Sequence, residues 1–93
     1  MKTYELLTVF KPTLDAEEAD KAIEALGKSV TALEGKVDST DKTGRKKLAY
    51  DIQNFRDGFF VVTNFSLPEE KVAEFRRQLR LNDNVLRTMF LAA

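Results

Sequence analysis

The chain has no cysteine and no histidine, and only two prolines and four glycines in 93 residues. Without cysteine there is no disulfide framework and no thiolate-based metal site. Without histidine the usual general base near pH 7 and the commonest metal ligand are both missing. Stretches of 18 apolar residues are also lacking, so nothing in the sequence reads as a membrane span. The start, Met1 to Leu7, does not read as a signal peptide. Glu5 and Lys11 flank too short an apolar run, and no small-residue cleavage site follows. A cytoplasmic location is the expectation, and Asn64-Phe65-Ser66 is then a chance match to a glycosylation sequon.

What remains is 43% hydrophobic and 32% charged, the composition of a folded globule. The length suits one core, so residues 1–93 are expected to form a single domain. Lys+Arg and Asp+Glu both number 15, giving zero formal charge. That zero hides an asymmetry: residues 1–41 carry nine acids and five bases, residues 42–93 six acids and ten bases. A basic half on a neutral chain can bind an anion locally, although a solvated, salt-paired surface has the same counts.

Residues 2–10 alternate as a strand, with Tyr4, Leu6, Thr8 and Phe10 on one face and Glu5, Leu7 and Val9 on the other. Apolar side chains on both faces place it centrally. Asp15 with Glu18 resembles a capping box, and Ala19, Ala22 or Ile23, Leu26, Val30 and Leu33 give a helix over 16–33, with Gly35 as its C′ residue. Residues 36–50 read as a long polar edge strand with a bulge at Gly44. Asp51 to Asp57 reads as a loop, with Asp57-Gly58 as the turn into a second central strand ending at Leu67. Pro68 opens a second helix at its first position, with Val72, Phe75 and Leu79 as its core stripe. Asn82-Asp83-Asn84 is a turn, and Val85 to Leu91 the last strand. The order β-α-β-β-α-β predicts an α+β, ferredoxin-like fold: a four-stranded antiparallel sheet with two helices on one face.

Chemistry is sparse. There is no nucleophile with a base, no Gly-rich phosphate loop and no metal-ligand spacing, so neither an enzyme nor a cofactor or small-molecule site is expected. Glu17/Glu18 and Glu69/Glu70 are helix-dipole partners rather than an acid–base pair. Binding has better support. Two helices cover one sheet face, which leaves Leu7, Val9, Phe60, Val62 and Met89 for the other, and an exposed apolar patch of that kind marks a partner surface. Basic residues gather at Arg45-Lys46-Lys47 and around Arg80, Asn84 and Arg87, with Lys2 at the start; Arg and Asn suit phosphate, sugar and base edges. Arg56 to Val62 has a faint likeness to the aromatic strand of RNA-recognition motifs, but Leu7 and Val9 stand where such a sheet needs a stacking aromatic.

Tyr4-Glu5, Pro12-x-Leu14-Asp15, Gly44-Arg45-Lys46-Lys47-Leu48-Ala49-Tyr50-x-Ile52, Gly58-Phe59-Phe60, Leu67-Pro68 and Leu79-Arg80-Leu81-Asn82-Asp83-Asn84-Val85-Leu86-Arg87 together resemble the bacterial small-subunit ribosomal protein S-six family, across about the whole chain. The resemblance implies the same fold, no catalytic activity, and binding to the central domain of small-subunit ribosomal RNA as a heterodimer with ribosomal protein S-eighteen. It makes Lys2, Arg45, Lys46, Lys47, Arg80, Asn84 and Arg87 candidate RNA contacts, and Leu7, Val9, Phe60, Val62 and Met89 the candidate partner face. Two departures stand out. Asp51 occupies a position where the family commonly has proline, and the sequence stops at Ala93 without the family's extended tail. The rival expectation is a non-catalytic interaction module, or a reshaped family member, that self-associates through its sheet and does not bind RNA.

Overall fold

The alternation at the start of the chain becomes β1 (Lys2–Phe10), which lies inside the sheet as its two apolar faces require. The computed structural model describes residues 1–92. After β1 come α1 (Ala16–Ala32), β2 (Lys36–Ile52), β3 (Phe55–Leu67), a single 3-10 turn at Glu69–Lys71 that leads into α2 (Val72–Arg80), and β4 (Val85–Ala92). The sheet order is β2-β3-β1-β4 and every pairing is antiparallel, so the fold is the ferredoxin-like arrangement.

Helix α1 starts as its sequence predicts. The Asp15 carboxylate accepts from the Glu18 amide at 2.7 Å, and the Asp15 amide donates to Glu18 Oε1 at 3.3 Å. Its end differs from the expectation. Glu34, not Gly35, takes the left-handed conformation, at φ 69°. The Gly35 amide then reaches back to the Val30 carbonyl at 2.9 Å and the Glu34 amide to that of Thr31 at 3.1 Å, which is a Schellman pair. Gly35 is small for another reason: a Cβ there would stand 2.6 Å from the Ser66 carbonyl oxygen. Pro68 also shifts by one position, preceding the 3-10 turn rather than opening it.

The loop expected at 51–57 is strand. Ile52 pairs with Phe55, and the reversal is a two-residue turn at Gln53 and Asn54, both at positive φ (50° and 68°). Two positive φ values match the right-handed twist of the flanking strands. Gly58 is therefore mid-strand, opposite Lys46. The bulge expected at Gly44 is present, with φ 102° and a register shift after Lys42.

The core lies between the helices and one sheet face, in two clusters. One gathers Tyr4, Leu6, Leu26, Val30, Phe65, Leu67, Phe75 and Leu79, with Phe90 packed against it. Its rings meet edge-on, Phe65 with Phe75 at 5.2 Å between centroids and with Phe90 at 5.7 Å. The other gathers Phe10, Ala22 and Val61. Each central strand passes from one cluster to the other through a buried threonine, Thr8 or Thr63. Neither hydroxyl has a hydrogen-bond partner among the described residues.

Candidate nucleic-acid and partner interface

Strand register fixes what the second sheet face presents. Residues paired across a ladder share a face. Counting from β4 to β2, one row is Arg87, Val9, Phe60 and Gly44; the next is Met89, Leu7, Val62 and Asp41; the third is Leu91, Glu5, Asn64 and Ser39. The first two rows are mostly apolar. From the third row onward the face turns polar: Asn64 Nδ2 donates to Ser39 Oγ at 3.1 Å, and Ser66 Oγ to Asp38 at 3.4 Å. Leu7, Val9, Phe60, Val62 and Met89 thus share this second sheet face.

The apolar end is not flat. Between the pairs Lys47–Asp57 and Ile52–Phe55, residues 48–51 of β2 stand against the single Arg56 of β3. This bulge lets the end of the hairpin curl over the sheet. Leu48, Tyr50 and Ile52 then wall a groove of about 460 Å³ whose floor is Leu7, Val9, Phe60 and Met89. Tyr50 is exposed, and the Arg87 guanidinium sits 5.5 Å from its ring centroid, tying the arm to β4. Val9 is only 4% exposed, because the arm covers it; it supports the groove from below. Sequence reasoning missed the arm. Its signal was Leu48, Tyr50 and Ile52 spaced by two in an otherwise polar strand.

The cations divide by their company. Lys2 is at the far end of β1 in a 2.7 Å ion pair with Glu69. That hydrogen bond, and then the partner's charge, raise the Lys2 ammonium and pull the Glu69 carboxyl below its ordinary 4.5. Arg45 donates to the Pro12 carbonyl and lies 3.7 Å from Asp57. Glu74 holds Arg77, and the hydrogen bond from Arg77 lowers the Glu74 carboxyl. Lys46 and Lys47 are exposed on the edge strand β2, and Arg76, Arg80 and Arg87 flank β4; none of these five forms an ion pair among the described residues. The Asn84 side chain is exposed in the turn before β4, while its backbone binds Asn82 and Lys11. Five of the nine acids of the first half belong to α1 and its cap, where Glu17 and Glu24 pair with Lys21 and Lys28, and Asp20 with Lys42. Among the described residues Lys11, Lys36, Arg56 and Lys71 form no ion pair either, but the five cations named above gather at the two sheet edges.

No described helix is long and apolar enough to cross a membrane. Among the described residues no group of three or more acids could hold a metal ion.

Comparison with known proteins agrees with this geometry. The family profile described as "Ribosomal protein S6" matches residues 3–92. The small ribosomal subunit protein bS6 of Clostridioides difficile is 42% identical over 93 residues, covering all of both chains. That of Dictyoglomus turgidum is 34% identical over 89 residues, 96% of this chain and 92% of its own. In structure, the 30S ribosomal protein S6 of Thermotoga maritima superposes with a TM-score of 0.92 at 24% identity, over 99% of this chain and 87% of the other. A match that runs from the first strand to the last, through the arm and both basic edges, means that the chain belongs to the ribosomal protein S6 family.

Proposed function

We propose that this protein is a structural constituent of the small ribosomal subunit. It binds the central domain of small-subunit ribosomal RNA together with ribosomal protein S-eighteen. The observation that carries the reading is the coincidence of family membership over residues 3–92 with an apolar groove bordered by unpaired arginine. Its mechanism is passive. Lys46, Lys47, Arg80 and Arg87 neutralise phosphates, with Asn84 beside them; Arg45 and Lys2 contribute less, because acids already engage them. Leu7, Phe60, Val62 and Met89, with the arm residues Leu48 and Tyr50, receive the partner protein, and buried Val9 supports them from below. Joining two weak RNA surfaces in one heterodimer raises affinity through linkage. The reading has no catalytic step, and its compartment is that of the ribosome.

The test is binding to a central-domain RNA fragment across a salt series, with and without ribosomal protein S-eighteen. Binding that tightens with the partner and weakens steeply with salt is expected. A well-folded chain that binds in neither condition refutes the reading. A tight homodimer in sedimentation, occupying the groove, favours the self-associating module instead.

A further inference from the structure

We propose that the groove along the free edge of β4 is a site for single-stranded RNA, with an unpaired base stacked on Arg76 and the flanking phosphates held by Arg80 and Arg87. The proposal rests on the RNA-binding reading above and names the form of RNA that this edge accepts. The groove measures about 610 Å³ and runs between α2 and β4, with Gln53 of the hairpin turn at its margin. That is the size of an ordinary small-ligand site. Its lining has three arginines and no acid.

The position of Arg76 selects the ligand. Its guanidinium carbon lies over the Phe90 ring, 4.7 Å from the centroid, and Arg76 is exposed, so the cation is packed against one aromatic and open to solvent on its other side. The other side is left for a second flat, polarisable partner. A nucleobase is such a partner, and it can reach the arginine only when it is out of a helical stack. Arg80 follows one helical turn later on α2, ~6 Å along the axis, and Arg87 stands across on β4. Both line the same groove as Arg76, so the phosphates flanking a base there have two cations within the groove, Arg87 reaching it from the strand face where its guanidinium also meets Tyr50. Gln53 offers a donor and an acceptor to a base edge. An acidic peptide pairing with the β4 edge would use the charges but would leave the stacking plane unused.

The experiment is a titration of the isotope-labelled full-length chain, followed by NMR at low salt. The probes are a mixed-sequence single-stranded hexaribonucleotide, the same strand annealed to its complement, and an extended peptide of alternating Val and Glu. The single strand is expected to shift the amides of residues 85–90 and the Arg76 Nε–H, and to bind more tightly than the duplex. Arg76→Ala should weaken it about tenfold, and Arg76→Lys nearly as much, because lysine keeps the charge and loses the plane. Full affinity in Arg76→Lys, equal binding of the duplex, or β4 shifts with the peptide but not the single strand would each overturn the proposal. Shifts confined to residues 45–47 would overturn it while leaving RNA binding intact. No shift with any RNA, from a folded chain, would overturn this proposal, while the central-domain reading stands or falls on the titration with and without the partner protein.

Discussion

Replacing Gly58 with alanine tests whether the hairpin arm and the sheet beneath it are packed to the limit. A Cβ at this position would stand 2.4 Å from Val9 Cγ1, 3.3 Å from the Phe10 carbonyl oxygen and 3.6 Å from Leu48 Cδ2. Non-bonded carbons rest about 3.5–4.0 Å apart, so the first contact falls short by more than ~1 Å. Val9 cannot easily yield. It is β-branched, stiff about χ1, and almost fully buried. Overpacking of this kind costs about 1–3 kcal/mol, offset by ~0.4–1 kcal/mol from the stiffer unfolded chain. The net expectation for Gly58→Ala is a loss of about 1–2 kcal/mol. Val9→Ala alone removes two methyl groups and leaves a void, for a loss of about 2–3 kcal/mol. In the double variant the new methyl group occupies part of that void. Its stability should exceed the sum of the single effects by about 1–2 kcal/mol. Urea unfolding followed by far-UV circular dichroism reads all four corners of the cycle, provided the m-values agree. Wild-type stability in Gly58→Ala, or strict additivity in the double variant, would refute the packing argument.

Four further outcomes follow from the same geometry. Glu34→Gly should stabilise by about 1 kcal/mol, because it removes a side chain from a left-handed residue, whereas Gly35→Ala should destabilise by about 1–3 kcal/mol against the immovable Ser66 carbonyl; thermal melts of both variants decide it. Thr63→Val should raise the urea midpoint by roughly 1 kcal/mol of stability, since it replaces a buried hydroxyl that has no partner; a loss would mean that the hydroxyl is satisfied. Glu69 and Glu74 have folded-state values lowered by their partners, so their contribution is present above the unfolded carboxylate value, ordinarily 4.5, and fades as pH falls through the folded values. With no histidine to titrate, stability should be flat from about pH 6 to 8, and the acid-side decline should be shallower in the Glu69→Gln/Glu74→Gln double variant. Arg80→Ala and Arg87→Ala should each weaken RNA binding and flatten its salt slope by about one unit; an unchanged slope would remove them from the phosphate contacts.

The fold was largely legible because its strongest signals are local or periodic. Apolar residues on both faces of β1 and β3 announce central strands, and Asp15 with Glu18 announces the start of α1. What escaped depends on geometry that composition does not encode. The hairpin turn uses Gln53 and Asn54 at positive φ, where a glycine would have given the signal, so Asp57-Gly58 drew the turn instead. That glycine serves close approach to Val9, a contact between residues far apart in sequence. Alternation put Leu7, Val9, Phe60, Val62 and Met89 on one face, yet it could not show that residues 48–51 bulge and bend Leu48 and Tyr50 over them. Near the end of α2 an arginine such as Arg76 needs no more explanation than the helix dipole, and only the packing of Phe90 beneath it gives it a second use.

The strand order has a consequence for the chain as it is being made. β1 is synthesised first but lies in the middle, and both of its neighbours, β3 and β4, belong to the second half of the sequence. At ~5–20 residues per second, an apolar segment ready to pair waits several seconds for β3 and longer for β4. Until then the nascent chain can form only α1 and, later, the β2–β3 hairpin, the one pairing between strands adjacent in sequence. Closing the long loops to β1 is the slow, entropically costly step. Completion of the sheet must therefore await emergence of β4 from the exit tunnel, and during that interval β1 is an apolar strand without its neighbours.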